Sequence, residues 1–305
     1  MIVYALKRLC VAVLVAFTVS ILTFSMIYLS GDPAMALAGE SATQLDIENI
    51  RRYYGYDQPI IVQYLSWVGG ALTGDLGHSH YLKTEVSEVI FRRLPVTMTL
   101  GATALTFALV LAIPLGVLAA MRPNTLIDRV ALTIALIGQA LPSFWFALIM
   151  MFFFGVTLRW LPITGSDSWR NFVMPAIALG YYTTPAVMRL TRAGMLDVLS
   201  SDYIRTARAK GLRPGVVLFK HALRNAIIPV VSLSAVQFGF MLGGSIVIET
   251  IFAINGLGQL AWESILRADL PMMQAIVLVL ACFYIVLTFL ADMLNAFLDP
   301  RIRVS

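Results

Sequence analysis

Charge is scarce in this chain. Of its 305 residues only 13% are charged, against about a quarter in an ordinary soluble domain. Hydrophobic residues make up 59% and the mean hydropathy is +0.83, more apolar surface than one water-soluble core of this length can hide. Most soluble enzymes are thereby excluded, and lipid is the expected solvent for much of the chain. Cysteine is nearly absent. Cys10 and Cys282 both sit inside apolar runs, give neither a disulfide framework nor zinc spacing, and read as small buried hydrophobes. His78-Ser79-His80 has no nearby cysteine or third histidine, so it reads as loop surface rather than as a metal site. There is no Gly-x-x-x-x-Gly-Lys-Ser/Thr loop to cradle phosphates, and no spacing of Ser, His and Asp suggests a nucleophile. A membrane-bound enzyme would need such a cluster near one membrane face.

Long apolar runs are what the chain does have. Between Arg8 and Asp32 no charge occurs for 23 residues, enough to cross a hydrocarbon core about 30 Å thick. Lys7 and Arg8 before the run and Ala36-Leu37-Ala38 after it suggest a cleaved signal peptide as the rival, but the run exceeds the usual signal core, so a retained helix is expected. Five further stretches follow at Leu94–Met121, Val130–Leu158, Asn171–Val187, Ala226–Ile251 and Met272–Phe297, the fourth short and opening with Pro175 in its first turn. The expected fold is an all-α integral membrane protein with six transmembrane helices. Its parts are a first helix at residues 1–31, a small external segment at 32–93, a five-helix core at 94–297 that includes a cytoplasmic loop at 189–225, and a tail at 298–305.

Orientation follows from the loops. One side carries 14 of the 22 basic residues and 5 of the 17 acidic ones, so it nets +9 and the other side −4. The basic side is expected to be cytoplasmic, with both termini, and the +5 total is absorbed by topology and lipid headgroups without a nucleic-acid partner. Outside, Ser41–Tyr53 has helical polarity, and Tyr64-Leu65-Ser66-Trp67 suggests a short helix followed by a turn at Leu72–Gly77.

The cytoplasmic loop is organised beyond what a connection needs. Asp202 can cap a short helix, Gly211 can take the left-handed position that ends it, and Arg208 and Lys210 complement its C-terminal dipole. Ala207 and Ala209 leave room for another surface. Pro214 fits the first turn of a second helix running through Val217, Phe219 and Ala222 to the membrane at Ala226. In the spans, Gln139, Pro142 and Ser143 interrupt the third, and Ser232, Ser234, Gln237, Gly239, Gly243 and Gly244 mark the fifth. Polar groups at membrane depth face a bundle interior or a water-filled cavity, which makes Gln139, Ser143 and Gln237 candidates for lining a path. The glycines and serines serve helix packing equally well. Asp292 is expected to pair with a neighbouring basic residue.

Asp202 through Leu212, with His221-Ala222-Leu223-Arg224-Asn225-Ala226-Ile227-Ile228-Pro229, resembles the EAA loop of ABC importer permeases of the dipeptide/oligopeptide/nickel family. Arg205-Thr206-Ala207-Arg208-Ala209-Lys210-Gly211 stands where the wider superfamily reads Glu-Ala-Ala-x-x-x-Gly, with Arg205 at the acidic position. The resemblance extends over Gly31-Asp32-Pro33, Asp57-Gln58-Pro59, Gly74-Asp75-Leu76-Gly77, Arg93-Leu94-Pro95, Trp160-Leu161-Pro162 and Leu298-Asp299-Pro300-Arg301. Asn255-Gly256-Leu257-Gly258 replaces the family's Pro-Gly-Leu-Gly, so a less rigid external turn is expected. The resemblance implies a type I ABC importer permease fold in the bacterial inner membrane, moving di- or oligopeptides, glutathione, nickel complexes or related small solutes. It implies no cofactor in this chain, with ATP and magnesium bound by two cytoplasmic ATPase subunits, and a second homologous permease and an external solute-binding protein as partners. By resemblance Tyr203, Arg205, Ala207, Arg208 and Gly211 belong to the ATPase-coupling helix, Ala207 and Gly211 allowing close packing and Arg205 and Arg208 contacting the ATPase. A self-sufficient channel or secondary transporter is the alternative. It would be favoured by ionisable residues inside the spans, which the chain nearly lacks.

Overall fold

The computed structural model describes residues 2–29, 31–39 and 42–298; the tail at 299–305, with Arg301 and Arg303, lies outside the described residues, as does Ser41. Among the described residues the chain is helical, with one isolated bridge between His78 and Glu85. Among the described residues four helices are long and apolar enough to cross a membrane: α1 (Ile2–Leu29), α5 (Val86–Met121), α13 (Ile228–Ile251) and α15 (Leu270–Leu298).

The second expected span is longer than its apolar run. α5 has 36 residues, about 54 Å at 1.5 Å per residue, and starts at Val86 rather than Leu94. Pro95 and Pro114 lie inside it without ending it, because packed neighbours compensate the freed backbone groups in a membrane helix. The third span is not one helix. α6 (Leu126–Ala140) and α7 (Ser143–Met150) are separated by Leu141, held extended at φ −96° and ψ 130° ahead of Pro142, and α7 continues as a π-helical stretch, Met151–Thr157. The fourth is also broken: α8 (Trp169–Tyr181) turns at Tyr182-Thr183 into α9 (Thr184–Leu199), which carries the chain past Val187. Pro175 sits well inside α8 rather than in its first turn.

Small residues set the core. Leu100, Ala104 and Ala108 of α5 pack against Met174, Ala178 and Leu179 of α8 and Met241 and Ile248 of α13. Gly180 marks the closest approach, where a Cβ would lie 2.2 Å from the Ala104 carbonyl oxygen. Close backbone contact through Gly and Ala is how helices associate when lipid removes the hydrophobic drive between them. α1 lies along α15, with Arg8 and Asp292 paired at 2.9 Å as expected. Cys10 and Cys282 are free and exposed on the apolar surfaces of these two helices, so the expected burial is corrected.

The segment between α1 and α5, expected to be external, holds α2 (Pro33–Ala38), α3 (Gln44–Tyr53) and α4 (Ile60–Thr73). α3 begins with a capping box between Thr43 and Asp46 and is tied to α2 by the Arg51–Asp32 ion pair. α4 is 14 residues long, well beyond the short helix expected, and leaves Ile61, Leu65 and Leu72 exposed. It reaches α1 through Tyr64 and Trp67, whose rings lie 5.4 and 5.9 Å from Phe24.

Candidate functional site

Two places collect the residues singled out by sequence. The first is a cavity of about 640 Å³ between the broken helices and α13, lined by Gln139, Ser143 and Gln237 together with Tyr182, Thr183 and Gly244. Both helix breaks, Leu141-Pro142 and Tyr182-Thr183, open onto it. That placement has a physical cause: backbone that leaves a helix at membrane depth is tolerated where it faces a polar cavity rather than lipid. The Tyr181 hydroxyl donates to the Ile134 carbonyl at 2.6 Å and holds α6 to α8.

The other marked residues of α13 serve packing. Ser232 donates to Asn295, and Ser234 donates back to the Val230 carbonyl at 2.7 Å. Gly239 lies under the Tyr284 ring, where a Cβ would come within 2.2 Å of a ring carbon, whereas Gly243 faces open space.

The second place is α10 (Asp202–Ala209) with the chain leading from it into α13. Ser201 occupies the N-cap position and Asp202 the first turn, one residue later than expected, so Asp202 favours the helix through the dipole rather than as a cap. Ile204 and Ala207 are buried against Val117, Ala120, Met195, Val217 and Ala222. Ala207 therefore faces this chain's own core rather than an outside surface. Gly211 is left-handed at φ +74° with nothing within 4 Å of a Cβ position, so its role here is the turn. Pro214 starts α11 (Pro214–Val216), which continues through the π-helical Val217–Leu223 and α12 (Arg224–Ala226) into α13.

The outward face of α10 carries Tyr203, Arg205, Arg208 and Lys210. The Tyr203 hydroxyl accepts from Asn225 Nδ2 at 2.9 Å. Arg205 is 75% exposed and reaches only Asp202, at 3.2 Å, while Arg208 and Lys210 have no ion-pair partner among the described residues. Elsewhere, Arg192 of α9 grips Asp128 of α6 with two hydrogen bonds of 2.7 Å. Those bonds hold the Asp128 carboxyl below the usual carboxylate range, and the Arg192 guanidinium is raised by the same contact. Asp197 and Asp202 are the only acids in the expected loop, so Asp128 beside Arg129 was a visible but undirected signal.

Sequence reasoning missed the polar cluster where α13 ends. Glu249, fully buried near the end of α13, accepts from Thr97 Oγ1 at 2.8 Å and from the Gln259 amide at 3.0 Å. Thr97 in turn accepts from the Leu257 amide at 2.7 Å, so Thr97 and Glu249 together satisfy the start of α14 (Leu257–Leu266). A Cβ on Gly256 would lie 2.4 Å from Glu249 Oε2, and one on Gly258 2.6 Å from Ile246 Cα. The Asn255–Gly258 turn is therefore tightly held, which corrects the expectation of a less rigid one. An acid inside the apolar run Ile246–Ile251 was the signal. His78-Ser79-His80 is likewise more than loop surface: Ser79 is buried and donates to Asp269, which also accepts from the His80 amide at 3.2 Å. Among the described residues no group of three His, Cys, Asp or Glu could hold a metal ion.

Two family models match. Residues 112–304 match the binding-protein-dependent transport system inner membrane component, and residues 1–101 match the N-terminal region of such membrane components. The chain belongs to this family. It is 40% identical, over 98% of both chains, to the glutathione transport system permease protein GsiC of Escherichia coli (strain K12) and to GsiC of Salmonella choleraesuis (strain SC-B67). Among solved structures it shares its fold with a chain of the inward-facing MetNI methionine ABC transporter, at TM-score 0.59 and 20% identity, covering 69% of this chain and 96% of that one. An amino acid ABC transporter with histidines matches at TM-score 0.50 and 18% identity, over 70% and 94%. The chain is thus an inner-membrane permease of an ATP-driven importer, a component with no cofactor of its own, and its ATPase is a separate subunit. A solute-binding protein is the other partner that membership implies.

Proposed function

We propose that this permease carries peptide-like solutes, glutathione and short peptides among them, from an external binding protein to the cytoplasm. Its six spans pair with those of a second homologous permease, both termini lie in the cytoplasm, and lipid covers the exposed apolar faces of α1 and α15. The path runs through the cavity that Gln139, Ser143 and Gln237 share, whose amides and hydroxyl offer both donors and acceptors to a peptide backbone.

Force enters through α10. Two ATPase subunits, holding ATP and magnesium, close against each other and push on the Tyr203–Gly211 knob; Arg205 and Arg208 meet the ATPase surface, while Ile204 and Ala207 pass the displacement into α5 and α9. The observation that carries this reading is the division of α10 into an inward face locked in the core and an outward face of exposed cations. Reconstituted with its partners, the Gly211→Val chain is expected to insert normally and lose uptake. Full-speed uptake by this chain alone in liposomes, driven by an ion gradient, would instead establish a secondary transporter.

A further inference from the structure

A second cavity, of about 550 Å³, lies on the external side between α3, α4, the His78–His80 loop and the start of α15, and shares no lining residue with the central one. Its size falls within the range of small-molecule sites. Tyr54, Tyr56 and Trp67 supply aromatic wall, and Tyr54 stands edge-on to the His80 ring at 4.9 Å.

Two nitrogens at this cavity have no hydrogen-bond partner among the described residues. Gln274 is 6% exposed and lines the cavity, yet its Nε2 makes no hydrogen bond; His80 Nε2 is buried and equally unsatisfied. A buried amide donor without a partner costs about 1–3 kcal/mol, so such a group at a cavity wall signals an absent acceptor. The walls are fixed in advance. Asp269 holds the His80 backbone, and Gln63 Nε2 donates to the Gln58 and Tyr56 carbonyls at 2.7 and 3.3 Å. Burial pushes the Tyr56 hydroxyl up to about 12, so it stays neutral, and lowers His80 despite the opposing pull of Asp269. Among the described lining residues Arg52 is the one Lys, Arg, Asp or Glu; it stands at the rim 70% exposed, with its Nε paired to Glu48 at 3.3 Å.

We propose that this external cavity binds a small aromatic carboxylate, its acid group accepting from Gln274 and drawn by Arg52, its ring against Tyr54, Tyr56 and Trp67. The site is independent of the translocation path, so the test reads binding rather than uptake. Indole-3-acetate is titrated against the full-length chain in lipid nanodiscs by calorimetry, with neutral indole-3-acetamide as the comparison. The native chain is expected to bind the acid about tenfold more tightly than the amide. Gln274→Leu is expected to weaken the acid about tenfold with an unchanged or raised Tm, because the amide it removes is unpartnered. Arg52→Gln is expected to weaken it several-fold and to flatten the salt dependence. Absence of binding to the native chain, equal affinity for acid and amide, or unchanged affinity in a folded Gln274→Leu chain each overturns the proposal.

Discussion

The two ends of the molecule handle polar groups in opposite ways. At the end where α13 meets α14, Glu249, Thr97, Ser79 and Asp269 are buried and bonded to one another's elements, pinning α14 and the His78–His80 loop. At the opposite end of α13 the cations of α10 are exposed, and the buried polar contact is the Asp128–Arg192 pair of α6 and α9. A group buried in this way fixes geometry because its alternatives are unsatisfied, while an exposed charge costs little and is free to meet a partner. The α14 end is therefore built to hold its shape, while the α10 end keeps its charges free for a partner.

Glu249→Ala should be the sharpest way to break this contrast. Stripping the acceptor from Thr97 and the Gln259 amide is expected to cost about 3 kcal/mol or more, read as a large fall in Tm and in folded yield. Asp128→Asn should follow at about 3 kcal/mol, since it leaves a half-buried Arg192 uncompensated. Its pH dependence has a fixed sign. Arg192 lowers the carboxyl below its unfolded value, so the stability is complete above the ordinary carboxylate pKa of about 4 and is lost as pH falls through the folded value. The Tm gap between the native chain and Asp128→Asn should be flat from about pH 7 to 5 and narrow below about 4. A gap that widened on acidification would count against the pair.

Gly211→Ala should cost only about 1 kcal/mol, through left-handed strain with open space around it, whereas Gly256→Ala meets Glu249 and Thr97 and should cost several times more. Smallest of all in stability is Arg205→Ala, for which no change in Tm is expected because the pair with Asp202 is exposed. Its effect should appear in ATPase binding and coupled uptake. Loss of Tm without loss of coupling would reverse the assignment of the two ends.

Legibility tracked distance along the chain. α10, its Gly211 stop and the Pro214 restart were readable because caps and turns depend on adjacent residues. Gln139, Ser143 and Gln237 were readable as a set because a polar side chain in an apolar run has few permitted environments. Thr97 and Glu249, 152 residues apart, and Ser79 and Asp269, 190 apart, gave no local pattern that joins them. The break at Leu141 had a local sign in Gln139, Pro142 and Ser143, whereas the one at Tyr182 fell inside a stretch whose hydropathy reads as continuous span.

Composition and local spacing determined by themselves that this chain lives in lipid, is helical, and carries a capped basic knob outside the apolar core. Those properties follow from transfer free energy and from the few backbone conformations open to Gly and Pro. Only the tertiary structure decided which polar residues share a cavity, that Ala207 faces inward, and that Glu249 and Asp269 lock α14 and the His78–His80 loop. Each of these depends on which helices touch, and close packing of small residues such as Gly180 on Ala104 settles that in three dimensions.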